Sequence, residues 1–211
     1  MKKRYPLSLI LLVFVFSASS GLMASNIITI DTLTTKSAKA MPRAARHKIG
    51  FNAGGLKSNY PLRYYYDMTF FQAQWNYTYA RLGHFEFESM AVLQYGATYY
   101  NATLYPFEGY KRGMELGFMA GLNFRFNFWK ERLFVSFMGI IGPMYTPHMP
   151  SRQGTPLNFS DNLAVSIGGR VAGHYMIDLR LGYRHLSNAG INPPNYGINS
   201  HWISGGIYYC F

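Results

Sequence analysis

The sequence is poor in cysteine and in charged side chains. It has one cysteine, Cys210, in 211 residues, so neither an intramolecular disulfide nor a cysteine-based metal cluster can form. Charged residues make up 14% of the chain, against about 25% in a soluble globular protein. Aromatic side chains are abundant at 18%, and the formal net charge is +11. This composition argues against a soluble globule, and we expect neither a cofactor nor a metal ion.

The N-terminus has the three-part order of a secretory signal peptide. Basic residues at 2–4 precede an apolar run over 9–16, and small residues follow up to Ala24. The apolar run is too short to span a bilayer as a helix. We predict a signal peptide over 1–24 and, because 25–46 shows no sustained period, a flexible periplasmic lead-in there. A basic exported chain favours anionic lipid or polysaccharide as a partner and argues against nucleic acid.

Strict alternation of apolar and polar residues dominates the rest of the chain. From Met114 to Phe128 nearly every second side chain is apolar, a run much longer than the five or six residues of an average soluble strand. Similar runs predict eight strands, at 47–54, 66–81, 84–100, 111–127, 133–146, 159–172, 175–187 and 199–211. Eight is the smallest common number of strands in a closed membrane barrel.

The connections between these strands alternate in length. They are long at 55–65, 101–110, 147–158 and 188–198, and short at 82–83, 128–132 and 173–174. Outer-membrane barrels have long extracellular loops and short periplasmic turns, and the last predicted strand ends on an aromatic residue, Phe211, as such barrels do. The sequence therefore predicts an all-β fold, an eight-stranded antiparallel transmembrane β-barrel over 47–211, in the bacterial outer membrane.

The polar faces of the strands carry charged residues of both signs. A soluble barrel would place its apolar faces inside and leave these charges outside. A membrane barrel would place them in a charge-paired or wet interior. We expect the second arrangement for Glu86, Glu88, Glu115, Arg125, Arg170, Asp178 and Arg180.

A candidate site lies at the end of the seventh strand. His185 and Ser187 are two residues apart, so their side chains lie on the same face of a strand, the lipid-facing one. With a periplasmic N-terminus, the strand runs outward and brings this pair to the outer leaflet. Asn199 begins the eighth strand on the same face and at the same height. Polar groups on a lipid-exposed face are costly and therefore point to a function.

The residues at 185–200 resemble a known family. The stretch HLSNAG at 185–190, followed by a Pro-Asn pair and Gly-Ile, is similar to the signature of the outer-membrane lipid A 3-O-deacylases, the PagL family. The resemblance implies hydrolysis of the acyl chain ester-linked at the 3-position of lipid A. It implies Ser187 as the nucleophile, His185 as its general base and Asn188 as a candidate oxyanion donor.

The chain departs from the family pattern at Asn199, where a glutamate is expected. An asparagine carbonyl can still accept the imidazole N–H and orient the ring, but it carries no charge to stabilise an imidazolium. No other acid is expected beside His185, because Asp178 lies on the opposite face and the remaining carboxylates lie on other strands. Basic residues near the loops are candidate ligands for lipid A phosphates, namely Arg112, Arg152 and Arg184.

Two other functions remain open from the sequence. One is a non-catalytic structural or adhesive barrel, in which 185–188 is only the end of a strand. The other is a lipid A acyltransferase, which would need an acyl-binding site inside the barrel. His201, two residues beyond Asn199 on the same face, is expected to be an interfacial side chain that reaches the lipid head groups.

Overall fold

The computed structural model describes residues 46–60, 64–101, 109–129, 132–148 and 153–211. These residues form eight strands: β1 His47–Tyr60, β2 Tyr64–Leu82, β3 Phe85–Asn101, β4 Tyr110–Phe128, β5 Leu133–Tyr145, β6 Leu157–Ala172, β7 Tyr175–Ser187 and β8 Ile198–Cys210. Within the described ranges there is no helix with the length and apolarity needed to cross a membrane. The predicted signal peptide and all of the predicted lead-in except Arg46 lie outside the described residues.

The strands form a closed antiparallel barrel in sequence order. Each strand pairs with its neighbour in sequence, and β1 also pairs with β8, where Lys48 lies opposite Cys210. Alternation along the strands sorts the side chains between the two faces. In β4, for example, Phe118 is 53% exposed on the outside, whereas Glu115 and Asn123 are buried in the lumen. The predicted fold class is confirmed.

Strand β1 is longer than the sequence indicated. The sequence predicted its end at Gly54, but it continues to Tyr60. A Cβ atom on Gly54 would lie 2.3 Å from the carbonyl oxygen of Ile203 and 2.7 Å from Cζ of Phe70. Glycine here therefore allows close packing inside a strand rather than a turn. Most of the long loop predicted at 55–65 is strand, with 61–63 outside the described residues.

Ion pairs fill the part of the lumen near the short turns. The Lys48 Nζ atom lies 3.1 Å from a Glu86 carboxylate oxygen and also contacts Glu88. A guanidinium nitrogen of Arg125 lies 3.5 Å from Glu88. These four side chains are buried, so each charge is compensated where water is scarce.

Further ion pairs lie closer to the long loops. Arg180 Nε lies 2.8 Å from Asp178, and Arg184 Nη2 lies 2.7 Å from Glu115, all inside the barrel. The expected charge-paired interior is therefore present for six of the seven predicted residues. Arg170 is the exception: it is exposed, and its Nη1 donates to the Gly173 carbonyl at 2.9 Å. Arg170 keeps the inward parity of its register partner Met176, but it lies at the turn end of β6, where it lines the open mouth of the lumen.

Aromatic rings cluster at both ends of the barrel. At the end with the short turns and the chain terminus, Tyr175 and Tyr209 have ring centroids 5.4 Å apart. At the opposite end, which carries the long loops, Tyr99 and Tyr110 stack at 5.0 Å. Two such girdles are typical of the two membrane interfaces. Strand β7 runs from the turn end at Tyr175 to the loop end at Ser187.

Spin labels can test which face of the strands meets lipid. A nitroxide at Phe118 should collide with oxygen dissolved in the bilayer and be inaccessible to a water-soluble nickel relaxant, because this position is exposed on the outside. A label at Asn123, which lies on the opposite face of the same strand and is buried in the lumen, should show little collision with oxygen. The measurement is continuous-wave EPR power saturation in lipid vesicles. Strong oxygen collision at Asn123 and weak collision at Phe118 would contradict this assignment of faces.

Candidate active site

Strand β7 ends by presenting His185 and Ser187 on the outside of the barrel. Both side chains are half-buried, and Leu186 between them points into the lumen and is fully buried. The strand stops after Ser187 because the next residues leave the extended region. Ala189 and Gly190 have φ of 54° and 78°, in the left-handed region. The chain then turns back over the end of the strand.

Asn199 on β8 holds the imidazole of His185. The two residues are register partners, and Nδ1 of His185 lies 2.6 Å from Oδ1 of Asn199. Because an amide oxygen can only accept, Nδ1 carries the proton and Nε2 is left with a free lone pair. The contact expected between these two strands is present, and it leaves the imidazole in the tautomer that can act as a base.

The loop at 188–197 is organised around Asn188. The side chain of Asn188 is buried, and its Nδ2 donates to the carbonyl oxygens of Asn192 at 2.6 Å and Pro194 at 3.2 Å. Its Oδ1 accepts from the Gly190 N–H at 2.9 Å, and its own N–H donates to Oδ1 of Asn195 at 3.0 Å. Asn188 therefore shapes the loop. Its role as an oxyanion donor stays a prediction, and it would require Nδ2 to exchange one of these bonds.

A second loop supports the first from the side of β6. The N–H of Gly154 donates to the Pro194 carbonyl at 2.7 Å, and Asn192 Nδ2 donates to the Gly154 carbonyl at 2.6 Å. Gln153 forms a bridge with Asn195 and donates from Nε2 to the Leu186 carbonyl at 3.3 Å. Backbone on both sides of Ser187 is thus fixed by hydrogen bonds, as preorganised sites require.

Gly197 lies against the imidazole ring. Its φ is 68°, and a Cβ atom added there would lie only 2.7 Å from Cε1 of His185. The residue is buried at the point where the loop enters β8. In the sequence, this glycine stands out only as part of the Gly-Ile step of the family motif. The structure shows that the backbone of this glycine covers one side of the histidine.

Ser187 is placed beside His185 but is not hydrogen-bonded to it. No bond to the Ser187 hydroxyl is found among the described residues, and the Cα atoms of residues i and i+2 in a strand are about 7 Å apart. Catalytic hydrogen bonds of ligand-free sites are often long and tighten only with substrate. Across the sheet, Ser187 lies opposite Phe159 of β6. Ser187 as a residue is half-buried, on the outward side.

Asp161 lies on the other side of His185, contrary to the expectation that no acid would be near. It is the register partner of His185 on β6, on the outward face, and half-buried. The turn at Gly173-His174 alone would place Asn162 opposite His185. The bulge between Arg170 and Ala172 shifts the pairing by one residue and brings Asp161 there instead. The histidine is therefore flanked by Asn199 and Asp161.

The other candidates near the site have different surroundings. His201 is exposed, and its ring packs edge-on against Tyr183 with centroids 5.4 Å apart. Arg184 is buried in the lumen with Glu115, because its parity points inward, so it is not placed to bind a lipid phosphate from outside. Arg112 is exposed near the loop end, and Arg152 lies outside the described residues.

Comparison with known structures supports the fold. The chain aligns with the crystal structure of the outer membrane enzyme PagL with a TM-score of 0.56 and 16% identity, over 75% of this chain and 97% of that one. Weaker similarity links it to Neisserial surface protein A, with a TM-score of 0.43 and 17% identity over 78% of this chain and 97% of the other. A further match is to the Yersinia pestis outer membrane protein Ail, with a TM-score of 0.39 and 13% identity over 79% of this chain and 99% of the other.

Sequence comparison gives the family. No curated protein sequence matches the chain significantly. The family model described as lipid A 3-O-deacylase (PagL) matches residues 58–208, which include the six complete strands β2 to β7, most of β8 and all four predicted site residues. The chain therefore belongs to the lipid A 3-O-deacylase (PagL) family and is an outer-membrane enzyme that hydrolyses ester bonds.

Proposed function

We propose that this protein removes the 3-O-linked acyl chain of lipid A by a serine-histidine mechanism on the outward surface of the barrel, at the level of the outer leaflet. The observation that carries the proposal is the 2.6 Å contact between His185 Nδ1 and Asn199 Oδ1, next to Ser187. A serine hydroxyl is a weak nucleophile and needs an adjacent base of defined tautomer. That requirement is met here by residues from two neighbouring strands.

The chemistry proceeds in two steps. Ser187 Oγ attacks the ester carbonyl carbon while its proton moves to Nε2 of His185, and a tetrahedral oxyanion forms. The carbon–oxygen bond to the sugar then breaks, and the imidazolium returns the proton to the sugar oxygen. His185 next takes a proton from water, which attacks the acyl-enzyme carbonyl; the bond to Ser187 Oγ breaks, the imidazolium returns the proton to Oγ, and the fatty acid is released. Asn199 keeps Nδ1 protonated throughout, and Asn188 is the candidate oxyanion donor.

The height of the site matches the position of the scissile ester. His185 and Ser187 lie at the loop end of β7, beyond Tyr183 and at the same end as the stacked pair Tyr99 and Tyr110. In a lipid, the acyl ester lies just below the head group. A site outside the barrel at the level of an aromatic girdle is placed to meet it without the lipid leaving the membrane.

Mass spectrometry of lipid A tests the proposal directly. Lipid A from cells that express the protein should lack one acyl chain that is present in cells without the gene, and the purified protein should release that chain as a free fatty acid. An unchanged lipid A would indicate a non-catalytic barrel. A gain of one acyl chain would indicate transfer to lipid A rather than hydrolysis.

Asn199 can be tested by removing or charging its side chain. Asn199→Ala should lower kcat by about 10- to 10²-fold, because the imidazole loses its acceptor, and the loss should be smaller than that of His185→Ala. Asn199→Glu should keep or raise the parental rate, since a carboxylate both accepts from Nδ1–H and stabilises the imidazolium. Rates of fatty acid release from lipid A in mixed micelles provide the measurement. A parental rate in Asn199→Ala would show that Asn199 does not orient the base.

A further inference from the structure

The second neighbour of His185 is a carboxylate. Asp161 on β6 lies directly across from His185, just as Asn199 does on β8, so the imidazole stands between an amide and an acid. Asp161 has the outward parity of Phe159 and Leu163 on the same strand, and it is half-buried. Its position on the face of the site follows from the backbone register alone.

The carboxylate of Asp161 has an oxygen without a partner. Its Oδ1 is sealed from solvent, and no hydrogen bond to it is found among the described residues. The acidic residues of the lumen differ, because each contacts a lysine or arginine: Glu86, Glu88, Glu115 and Asp178. A sealed carboxylate oxygen without a hydrogen bond is costly. A cation beside it would remove that cost, and the imidazolium of His185 is the cation that the proposed reaction creates there.

We propose that Asp161 is a positioning residue that stabilises the imidazolium of His185 during ester hydrolysis and supplies the negative charge that Asn199 lacks. This inference rests on the proposed serine-histidine mechanism. Asp161 stays ionised and takes no proton. The proton from Ser187 stops at Nε2 of His185, and Asp161 lowers the energy of the charged ring across the β6–β7 pairing.

Among the described residues, the strands and the loop packed around the His185 ring contribute no acidic side chain other than Asp161. On β8 the ring faces Asn199, and the next titratable side chain along that face is His201, which packs on Tyr183 of β7. The loop contributes the backbone of Gly197. Arg184, adjacent in sequence, points into the lumen to Glu115. Among the described residues, Asp161 is the acid that faces His185.

The test is the isosteric change Asp161→Asn. We expect kcat for lipid A hydrolysis to fall about 10- to 10²-fold with KM altered less than about threefold, because the interaction is made mainly in the transition state. The acidic limb of the kcat/KM pH profile should also move to lower pH. A negative neighbour favours the protonated ring, so its removal makes the base available at lower pH. Asp67→Asn, an outward-facing acid on β2, which is separated from β7 by β8 and β1, is the matched control and should leave rate and profile unchanged.

A rescue variant separates an electrostatic role from a structural one. Asn199→Glu combined with Asp161→Asn should recover most of the lost rate, because it returns a carboxylate to the other side of the same ring. A purely structural role of Asp161 would not be rescued from β8. Parental rate and pH profile in Asp161→Asn, or no rescue in the double variant, would overturn the inference. Loss of activity on Ser187→Ala, measured in parallel, would show that the serine-histidine mechanism itself still holds.

Discussion

Ser187→Ala and His185→Ala should each lower the rate of lipid A deacylation by about 10³-fold or more while the barrel stays folded. The nucleophile and its base act as one unit, so losing either removes the covalent route. Both side chains are half-buried at the barrel exterior and outside the ion pairs of the lumen, so the free energy of unfolding should change little. Acyl release from purified lipid A gives the rate, and the heat-dependent shift of barrel mobility on gels reports folding.

The chain offers matched controls at the other end of the barrel. Ser89 is an outward-facing strand serine whose hydroxyl donates to the Tyr77 carbonyl, and His84 packs its ring on Phe126 at a short turn. Ser89→Ala and His84→Ala should keep the parental rate. A Ser187→Ala protein that still trims lipid A at a normal rate would remove Ser187 as the nucleophile, whatever the result for His185.

Gly197→Ala should lower kcat by about 10²-fold without unfolding the protein. The new methyl group would lie 2.7 Å from Cε1 of His185, too close for a real contact, so the ring must turn away from Asn199 and Ser187. Small misplacements of a catalytic group cost rate on this scale. The measurement is kcat for lipid A, together with the NMR shift of a labelled His185 ring.

Gly190 provides the control for backbone strain. Its φ of 78° is as unfavourable for alanine as the 68° of Gly197, but nothing lies within 4 Å of the position of its Cβ atom. Gly190→Ala should therefore cost stability in the same loop and leave kcat within about threefold of the parent. Equal losses of kcat in the two variants would mean that strain in the loop, rather than contact with the histidine, sets the effect.

Much of this fold follows from period-2 alternation. The run from Met114 to Phe128 predicted β4 to within a few residues, because one face must meet lipid and the other the lumen. The same parity predicts that Asn199 lies beside His185, because β7 and β8 border the same loop, and the two residues are register partners. The predicted end of β1 at Gly54 was wrong, because the strand continues to Tyr60 and Gly54 packs closely against β8 within it. Sequence alone does not show which strand a glycine faces.

Asp161 illustrates a different limit. Its place beside His185 depends on one extra residue in β6, the bulge between Arg170 and Ala172. Counting from the tight turn gives the neighbouring Asn162, with its side chain in the lumen. The position of a bulge depends on how neighbouring strands pair at the rim of the barrel, so it cannot be predicted from the local sequence. The covering position of Gly197 likewise depends on how two loops dock, through Gly154 and Asn192.

The ion pairs inside the barrel determine how a substrate can reach the protein. Buried side chains, among them Lys48, Glu88 and Arg180, form ion pairs that fill the lumen, so its described part is not an open channel for a substrate. If the reaction takes place on the outer surface of the barrel, as proposed, the lipid substrate reaches the site by lateral diffusion in the plane of the membrane. The concentration that governs turnover is then the number of substrate molecules per unit area of bilayer or micelle. Diluting that surface with inert amphiphile slows the encounter even when the bulk amounts of enzyme and lipid stay the same.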